Sequence, residues 1–474
     1  MEGLQAEFSE IYGVFCGASK SIQVSYCGTQ PSFVYRRLAA MSGGELPEAS
    51  GDELLNLLQI AAALVENDDA AGAGDIGVLQ YYEDIKRKKN HLLGTVDLEG
   101  IKRLYGKQIR LSASQTDSLA QCRFAYFLKY GLGAKERREA EIDPAEFGTY
   151  VHAVLEKTAS KVMDLGGFHT VSLEQTTQLA REYSDAYIAQ RFGQLESERM
   201  EYLFRRNLSE LNMVVAELWS ELSVSDFVPI DFELSFGDGM KLPPIQIPDG
   251  MLPAVLRGFV DRVDAWSANS NTYFRVVDYK TGQKDFDYCD VFNGIGLQML
   301  LYLFALANSG QKVLGEHAVP VGVQYFPARS PLLAASGRLT AEEAEQERIK
   351  NWKRKGLLLS DELVIRAMQP EDAPNRLNCK WNKEGELTGD VADREQFRLL
   401  KRYIFHVLAK LVDQIASGNV EPNPYSRGSA YSACTYCPYQ EVCHFAAVSG
   451  RRNYKAMSSQ KFWEEIGKEL GNHG

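Results

Sequence analysis

Apolar positions along the chain follow two periods. Alternation rich in Val, Phe and Tyr predicts strands at FVPIDFELSF (227–236), AVLRGFVDRVDAW (254–266), TYFRVVDYK (272–280) and AVPVGVQYF (318–326). Helical spacing predicts FGTYVHAVLEKTASKVM, two longer segments over 173–223, one helix from about 291 to 308, and further helices near 340–355 and 392–416. SQTD (114–117) reads as an N-cap with an acid in the first turn, leading into LAQCRFAYFLKYGL, a helix that carries Cys122. From FGTYVH onward the order is α-β-β-β-α-β, a mixed α/β core with additional helices. Upstream lie a strand at IQVSY (22–26), helices at PSFVYRRLAAM (31–41) and GDELLNLLQIAAALV, and an acidic, small-residue linker, ENDDAAGAGDIG (66–77).

Length and composition narrow the class without fixing it. A chain of 474 residues has room for two to four domains, and 45% apolar with 24% charged residues is an ordinary globular balance. The N-terminus lacks the features of a signal peptide, and the most apolar window, LQMLLYLFALA (297–307), is shorter than the roughly 18 residues a membrane span needs, so a cytoplasmic protein with no membrane partner is expected. The formal charge of −11 argues mildly against nucleic acid, although basic clusters occur at DIKRKKNH (84–91), RIKNWKRKG (348–356, with Trp352) and GRRNYK (450–455). Each alone reads first as a solvated face. No G-x-x-x-x-G-K-[ST] loop occurs, so no ATPase activity is expected of this chain. In a reducing compartment clustered cysteines point to metal or redox chemistry; Cys16, Cys27, Cys289 and Cys379 are isolated, and buried or surface thiols are their default reading.

The strands carry charges where apolar residues are expected. In TYFRVVDYK, alternation puts Asp278 and Lys280 on the face of Phe274 and Val276, and on the preceding strand Asp261 shares parity with Phe259 and Val263. A carboxylate on a partly apolar face needs a partner or a metal. An Asp–Lys ion pair at a strand end is the plainer explanation. Two aspartates on neighbouring strands also suit a hard cation such as Mg²⁺ or Mn²⁺, with Lys280 placed to orient a water. His152 and Glu156 share a face of the helix before the strands, and Gln298 and Tyr302 share a face of the helix after them. Near the C-terminus, ACTYCPYQEVCHF (433–445) supplies Cys434, Cys437 and Cys443, three ligands where metal sites usually take four. Zinc and iron–sulfur are equally compatible with that spacing.

GTYVHAVLE, RGFVDRVD, VVDYKTG and GLQMLLYL, in this order, resemble the PD-(D/E)XK nuclease domain of the RecB type. The resemblance implies that His152, Asp261, Asp278 and Tyr279 belong to the metal shell, that Lys280 is the catalytic lysine, and that Gln298 and Tyr302 form the motif that follows. QCRFAYFLKYGL (121–132) with ACTYCPYQEVCHF resembles the split cysteine staple of the AddB subunits of AddAB-type helicase-nucleases, with Arg123 standing where a proline is common. That resemblance implies a 4Fe-4S cluster on Cys122, Cys434, Cys437 and Cys443. It also implies DNA as substrate, an AddA-like helicase-nuclease partner, and work on one unwound strand during double-strand break processing. It divides the chain into the end of a helicase-like domain with a linker (1–105) and a nuclease domain with its staple (106–474). Two other readings compete: a DNA-binding or assembly module with a vestigial nuclease site, and a stand-alone iron–sulfur exonuclease of a mobile or CRISPR-like system.

Overall fold

The computed structural model describes residues 95–134, 144–192, 198–248, 250–282, 284–329, 340–428, 431–443, 445 and 451–471, all within one compact unit, Leu93–Gly474. The elements expected before residue 78, the basic cluster 84–91, Cys16, Cys27 and His444 lie outside the described residues. In chain order the elements are α1 (Leu98–Tyr105), β1 (Ile109–Ser112), α2 (Ala113–Gln121), α3 (Arg123–Tyr126), α4 (Pro144–Asp164), α5 (Leu173–Phe192), α6 (Glu198–Leu222) and β2 (Val228–Phe236). They continue with β3 (Ile245–Ile247), β4 (Ala254–Ala268), β5 (Asn271–Lys280), α7 (Tyr288–Phe292), α8 (Gln298–Ser309), α9 (Gln311–Leu314), β6 (Ala318–Pro327), α10 (Ala341–Asn351) and β7 (Lys355–Leu359). The last are α11 (Glu362–Met368), β8 (Cys379–Trp381), β9 (Leu387–Gly389), β10 (Val391–Ala392), α12 (Arg394–Ala416), β11 (Tyr425–Ser426), α13 (Gln440–Cys443), β12 (Arg452–Asn453) and α14 (Ser459–Gly471). Among the described residues no helix is long and apolar enough to cross a membrane.

The expected α-β-β-β-α-β core is present as α4, β2, β4, β5, α8 and β6, in a central mixed sheet flanked by helices. Its strand order is β1-β4-β5-β6-β7-β10, with β2 and β3 also paired to β4. β5 and β6 run parallel, and α8 makes the crossover between them, whereas β2, β4 and β5 are antiparallel neighbours. One face of the sheet buries Phe274, Val276, Val323 and Tyr325 beneath α8, the LQMLLYLFALA segment, whose residues Met299 to Leu306 are all buried. The other face buries Val277, Tyr279 and Phe326 against Val151, Val154 and Leu155 of α4. β5 is therefore covered on both sides.

Local chemistry moved several expected boundaries. The helix expected from 291 is split, because Gly294 and Gly296 take φ of 83° and 71°, which only a glycine adopts at low cost, and α8 starts at Gln298. α2 is capped by Ser112 in a capping box with Gln115, ahead of SQTD. Cys122 lies outside helix altogether: its backbone is extended (φ −164°, ψ 120°) at the break between α2 and α3. The segment 348–356 is a surface only in part: Arg348 and Lys350 are exposed. Trp352 and Arg354 are buried and Gly356–Leu359 is a sheet strand, hidden from periodicity because both of its faces are covered.

Beside that strand the sheet buries charge. Arg262, Arg275 and Arg354 are almost fully enclosed, and Glu221 of α6 meets Arg275 at 2.7 Å and Arg354 at 2.7 Å. Asp264 binds Arg262 at 2.8 Å and Arg275 at 2.9 Å, and Gln324 accepts from Arg275 at 2.7 Å. Burial works against ionising Glu221, yet the three guanidiniums hold its carboxyl far below the usual range. Arg262 also donates to the Tyr279 hydroxyl at 3.2 Å, so the network ends on the residue between Asp278 and Lys280.

Candidate functional site

β4 and β5 separate at Asp261. Their ladder runs from Ala268–Asn271 to Arg262–Val277. One step further on, the Tyr279 N–H donates at 2.8 Å to the Asp261 side chain (Oδ2). Regular alternation fails at the same place. Phe259 and Val263 share parity with Asp261, but Phe259 is 51% exposed and Val263 is enclosed in the core. On β2, Glu233 lies between the pairs Phe232–Arg262 and Leu234–Val260, opposite Asp261, with φ at 46°. A non-glycine residue in that region costs of the order of 1 kcal/mol and persists where its surroundings hold it. The expectation that Asp261 shares a face with both Phe259 and Val263 thus holds only on the Phe259 side.

Four donors converge on the fork. His152 of α4 reaches the Tyr279 carbonyl oxygen through Nε2 at 2.7 Å and Asp261 Oδ2 through Nδ1 at 3.3 Å. The ligand atoms of His152, Glu233 and Asp261 lie within 4.8 Å of one another. Asp278 is buried and pairs with Lys280 Nζ at 2.5 Å, while the lysine side chain stays one-third exposed. Burial opposes charge on the His152 ring, but the hydrogen bond and charge of Asp261, with Asp278 and the Tyr279 carbonyl, prevail and raise its pKa. Burial, then the charge of Asp261, pushes Asp278 up to about 6 against the pull of Lys280. Burial and the neighbouring carboxylates Asp261, Glu156 and Asp278 push Glu233 up to about 7. Two carboxylates, an imidazole and a carbonyl in this space, with the Asp278 carboxylate beside them, form an oxygen-rich set, the donor chemistry that a hard divalent cation fits.

Of the residues named from sequence, His152, Asp261, Asp278, Tyr279 and Lys280 are together at the fork, Tyr279 through its backbone carbonyl. Gln298 and Tyr302 belong to α8, and the charges of Asp278 and Asp261 act on the Tyr302 phenol. Tyr302 is 2% exposed, stacks on Phe236 at 5.7 Å, accepts a hydrogen bond from the Phe259 backbone N–H and is bonded to Gln298. Its hydroxyl lies 1.8 Å from where a Cβ on Gly258 would stand, so the phenol fills the space that glycine leaves. Glu233 was missed, since its strand reads as ordinary alternation; its charge among apolar neighbours was the one available signal.

The cysteines form a second cluster. Cys122, Cys434, Cys437 and Cys443 line one cavity of about 240 Å³, walled also by Phe124 and Pro424. Burial, with the neighbouring thiols, pushes Cys443 up to about 11 and raises Cys437. Four thiols around one space suit a soft metal or an iron–sulfur cluster, which would stabilise them as thiolates. The two chain segments are tied outside the cavity: the Arg123 N–H donates to Asn423 Oδ1 at 2.8 Å, Arg452 donates to the carbonyls of Ala120 and Gln121, and the Tyr439 hydroxyl donates to the Ala134 carbonyl at 2.8 Å. Arg452 of the GRRNYK cluster is thus a clamp. Cys289 and Cys379 are buried and apart from the cavity.

Residues 110–444 match the family described as the PD-(D/E)XK nuclease superfamily. Curated relatives named as a subunit of an ATP-dependent helicase/deoxyribonuclease include those of Acetivibrio thermocellus (34% identity over 390 residues, 80% of this chain and 34% of the relative) and Clostridium novyi (34% over 382 residues, 78% and 34%). The protein of the same name from Moorella thermoacetica is 35% identical over 382 residues, covering 78% of this chain and 33% of its own. The chain spans about a third of the length of the curated relatives it matches.

Proposed function

The chain belongs to the PD-(D/E)XK nuclease superfamily, and from that premise we propose that it is a divalent-metal-dependent deoxyribonuclease, an exonuclease processing DNA ends in double-strand break repair. The observation that carries the reading is the fork: His152, Asp261 and the Tyr279 carbonyl converge beside an Asp278–Lys280 pair. When bound there, Mg²⁺ or Mn²⁺ would polarise the scissile phosphate and lower the pKa of water. Asp261 is held in place by the Tyr279 N–H, and His152 by the Tyr279 carbonyl, so the donors stand ready without rearrangement. Lys280, anchored by Asp278 and still partly open to solvent, orients the attacking water with its ammonium protons. Glu233 would add a further carboxylate oxygen to the cation's shell.

In this proposal Cys122, Cys434, Cys437 and Cys443 hold a 4Fe-4S cluster, residues 1–105 end a helicase-like domain, and 106–474 form the nuclease domain. The partner is an AddA-like helicase-nuclease protein in the cytoplasm, which supplies the ATPase activity, none being assigned to this chain. The relatives' own name, which makes each of them one subunit of an ATP-dependent helicase/deoxyribonuclease, supports that assembly. The test is cleavage of linear DNA by the purified chain with Mg²⁺ or Mn²⁺ and without ATP. Activity that disappears with a chelator and with Asp261→Asn is the expected result. No cleavage by a folded, metal-loaded wild-type chain overturns the proposal.

A further inference from the structure

Beside the fork, one face of β4 shows three side chains at alternate positions, Arg257, Phe259 and Asp261. Arg257 and Phe259 are exposed, Phe259 to 51%, while Leu256 before them and the intervening Gly258 and Val260 are turned inward or partly covered, and Asp261 follows two residues after Phe259. The direction is set by Gly258, whose missing Cβ would strike the Tyr302 hydroxyl of α8; Arg257 and Phe259 therefore point away from α8. α4 packs on the opposite side of the sheet from α8, and from there His152 reaches Asp261. The three side chains thus share one face, in the order cation, aromatic ring, metal-shell carboxylate.

Spacing and support both suit a nucleic-acid strand. At about 3.4 Å per residue, Phe259 stands roughly 7 Å from Asp261 along the strand, about one step of an extended single nucleic-acid strand, and Arg257 twice that. The ring is mounted on fixed backbone: the Phe259 N–H donates to Tyr302, which is bonded to Gln298 and stacked on Phe236. A ring on fixed backbone has only its two χ angles to lose on stacking.

We infer that Phe259 is a stacking platform for one unpaired nucleobase adjoining the scissile phosphate, with Arg257 engaging the backbone phosphate beyond it. Gln298 and Tyr302 then act as positioning residues for this platform. The inference rests on the nuclease reading of the fork, yet binding tests it separately from cleavage. A duplex presents no free base face here, so the occupant is a single strand.

The experiment measures fluorescence anisotropy of the full chain with a short oligothymidylate in a chelator, where no hydrolysis occurs. Stacking on one aromatic is worth enough that Phe259→Ala should weaken binding by about 5- to 100-fold, with the salt dependence unchanged, while Phe259→Trp retains affinity. Arg257→Ala should instead lower the salt slope by about 0.7, the signature of one lost phosphate contact on a single strand. With an oligonucleotide abasic along its length, wild type and Phe259→Ala should bind alike. Binding within twofold of wild type for Phe259→Ala, an equal loss on the abasic strand, or no binding of the oligothymidylate by wild type overturns the inference. Failure of cleavage with the binding pattern intact overturns the nuclease reading and leaves the platform standing.

Discussion

The fork and the cysteine cavity are both clusters of ligand-type side chains, but they are built in opposite ways. At the fork the donors hold one another: Asp261 by the Tyr279 N–H, His152 by Asp261 and the Tyr279 carbonyl, Lys280 by Asp278. At the cavity the ligands come from segments more than 300 residues apart, and the clamps are outside, on Asn423, Arg452 and Tyr439. Burying carboxylates that repel one another makes the fork a place where stability is given up for function. The cavity is the reverse, since a bound group there would close a long loop and favour the folded state alone.

The largest expected effect follows at the fork. Asp278→Ala and Lys280→Ala should each lower the Mg²⁺- or Mn²⁺-dependent cleavage rate by about a thousandfold or more, several kcal/mol of transition-state stabilisation. DNA affinity should stay within a few-fold, and in Asp278→Ala the melting temperature should not fall, because Asp278 is a carboxylate that burial disfavours. Near wild-type rates in single-turnover assays would remove both residues from the site.

At the cavity the same kind of substitution should do the opposite. Cys122→Ala, Cys434→Ala, Cys437→Ala and Cys443→Ala should each lose iron and lower the melting temperature by a similar amount, about 5 °C or more, while iron content is unmoved in Cys289→Ala and Cys379→Ala. Iron analysis and calorimetry on anaerobically purified protein check this. Full iron in Cys122→Ala breaks the comparison at its root.

Gly258→Ala lies between the two extremes. Its Cβ would meet the Tyr302 hydroxyl at 1.8 Å, and overpacking of this kind costs about 1–3 kcal/mol. Denaturant unfolding measures the cost. A neutral result would show that Tyr302 moves freely and that the platform at Phe259 is not rigid.

How much of this could be read from the residues depended on whether a pattern was local. β2, β4, β5, β6, α4 and α8 follow from alternation and helical spacing, Asp261, Asp278 and Lys280 from charges at places where the strand period calls for apolar side chains, and His152 from the helix face it shares with Glu156 and from the family resemblance. The departures are tertiary. Glu233 joins the site only because β2 changes face at a strained φ, and Arg262 and Arg275 look like solvent-facing strand residues until Glu221, far away in sequence, pairs with them. β7 and the extended backbone at Cys122 depend on burial by distant segments, which no short window contains.

The smallest effect concerns the link between the two regions. Asp117 lies on α2, the helix that ends at Gln121 just before Cys122, and accepts the Gly296 N–H at 2.9 Å, just ahead of the helix that carries Gln298 and Tyr302. Burial pushes its carboxyl up to about 6, against the pull of that hydrogen bond and of Lys284. The folded pKa is thus above the unfolded value of about 3.9, so between about pH 4 and 6 the unfolded chain has released a proton that the folded chain retains. Stability contributed by this group falls as pH rises through that window. Asp117→Asn keeps an acceptor for Gly296 and removes the charge, so it should flatten that part of the stability profile and gain about 1 kcal/mol at pH 7. Asp117→Ala leaves the Gly296 N–H without its partner and should lose about 1 kcal/mol at the same pH. Urea midpoints of the three proteins from pH 4 to 7 separate these outcomes. If both variants leave iron content and maximal cleavage rate at wild-type values, the fork and the cavity are joined by packing alone; if Asp117→Ala changes both, the bond to Gly296 couples them.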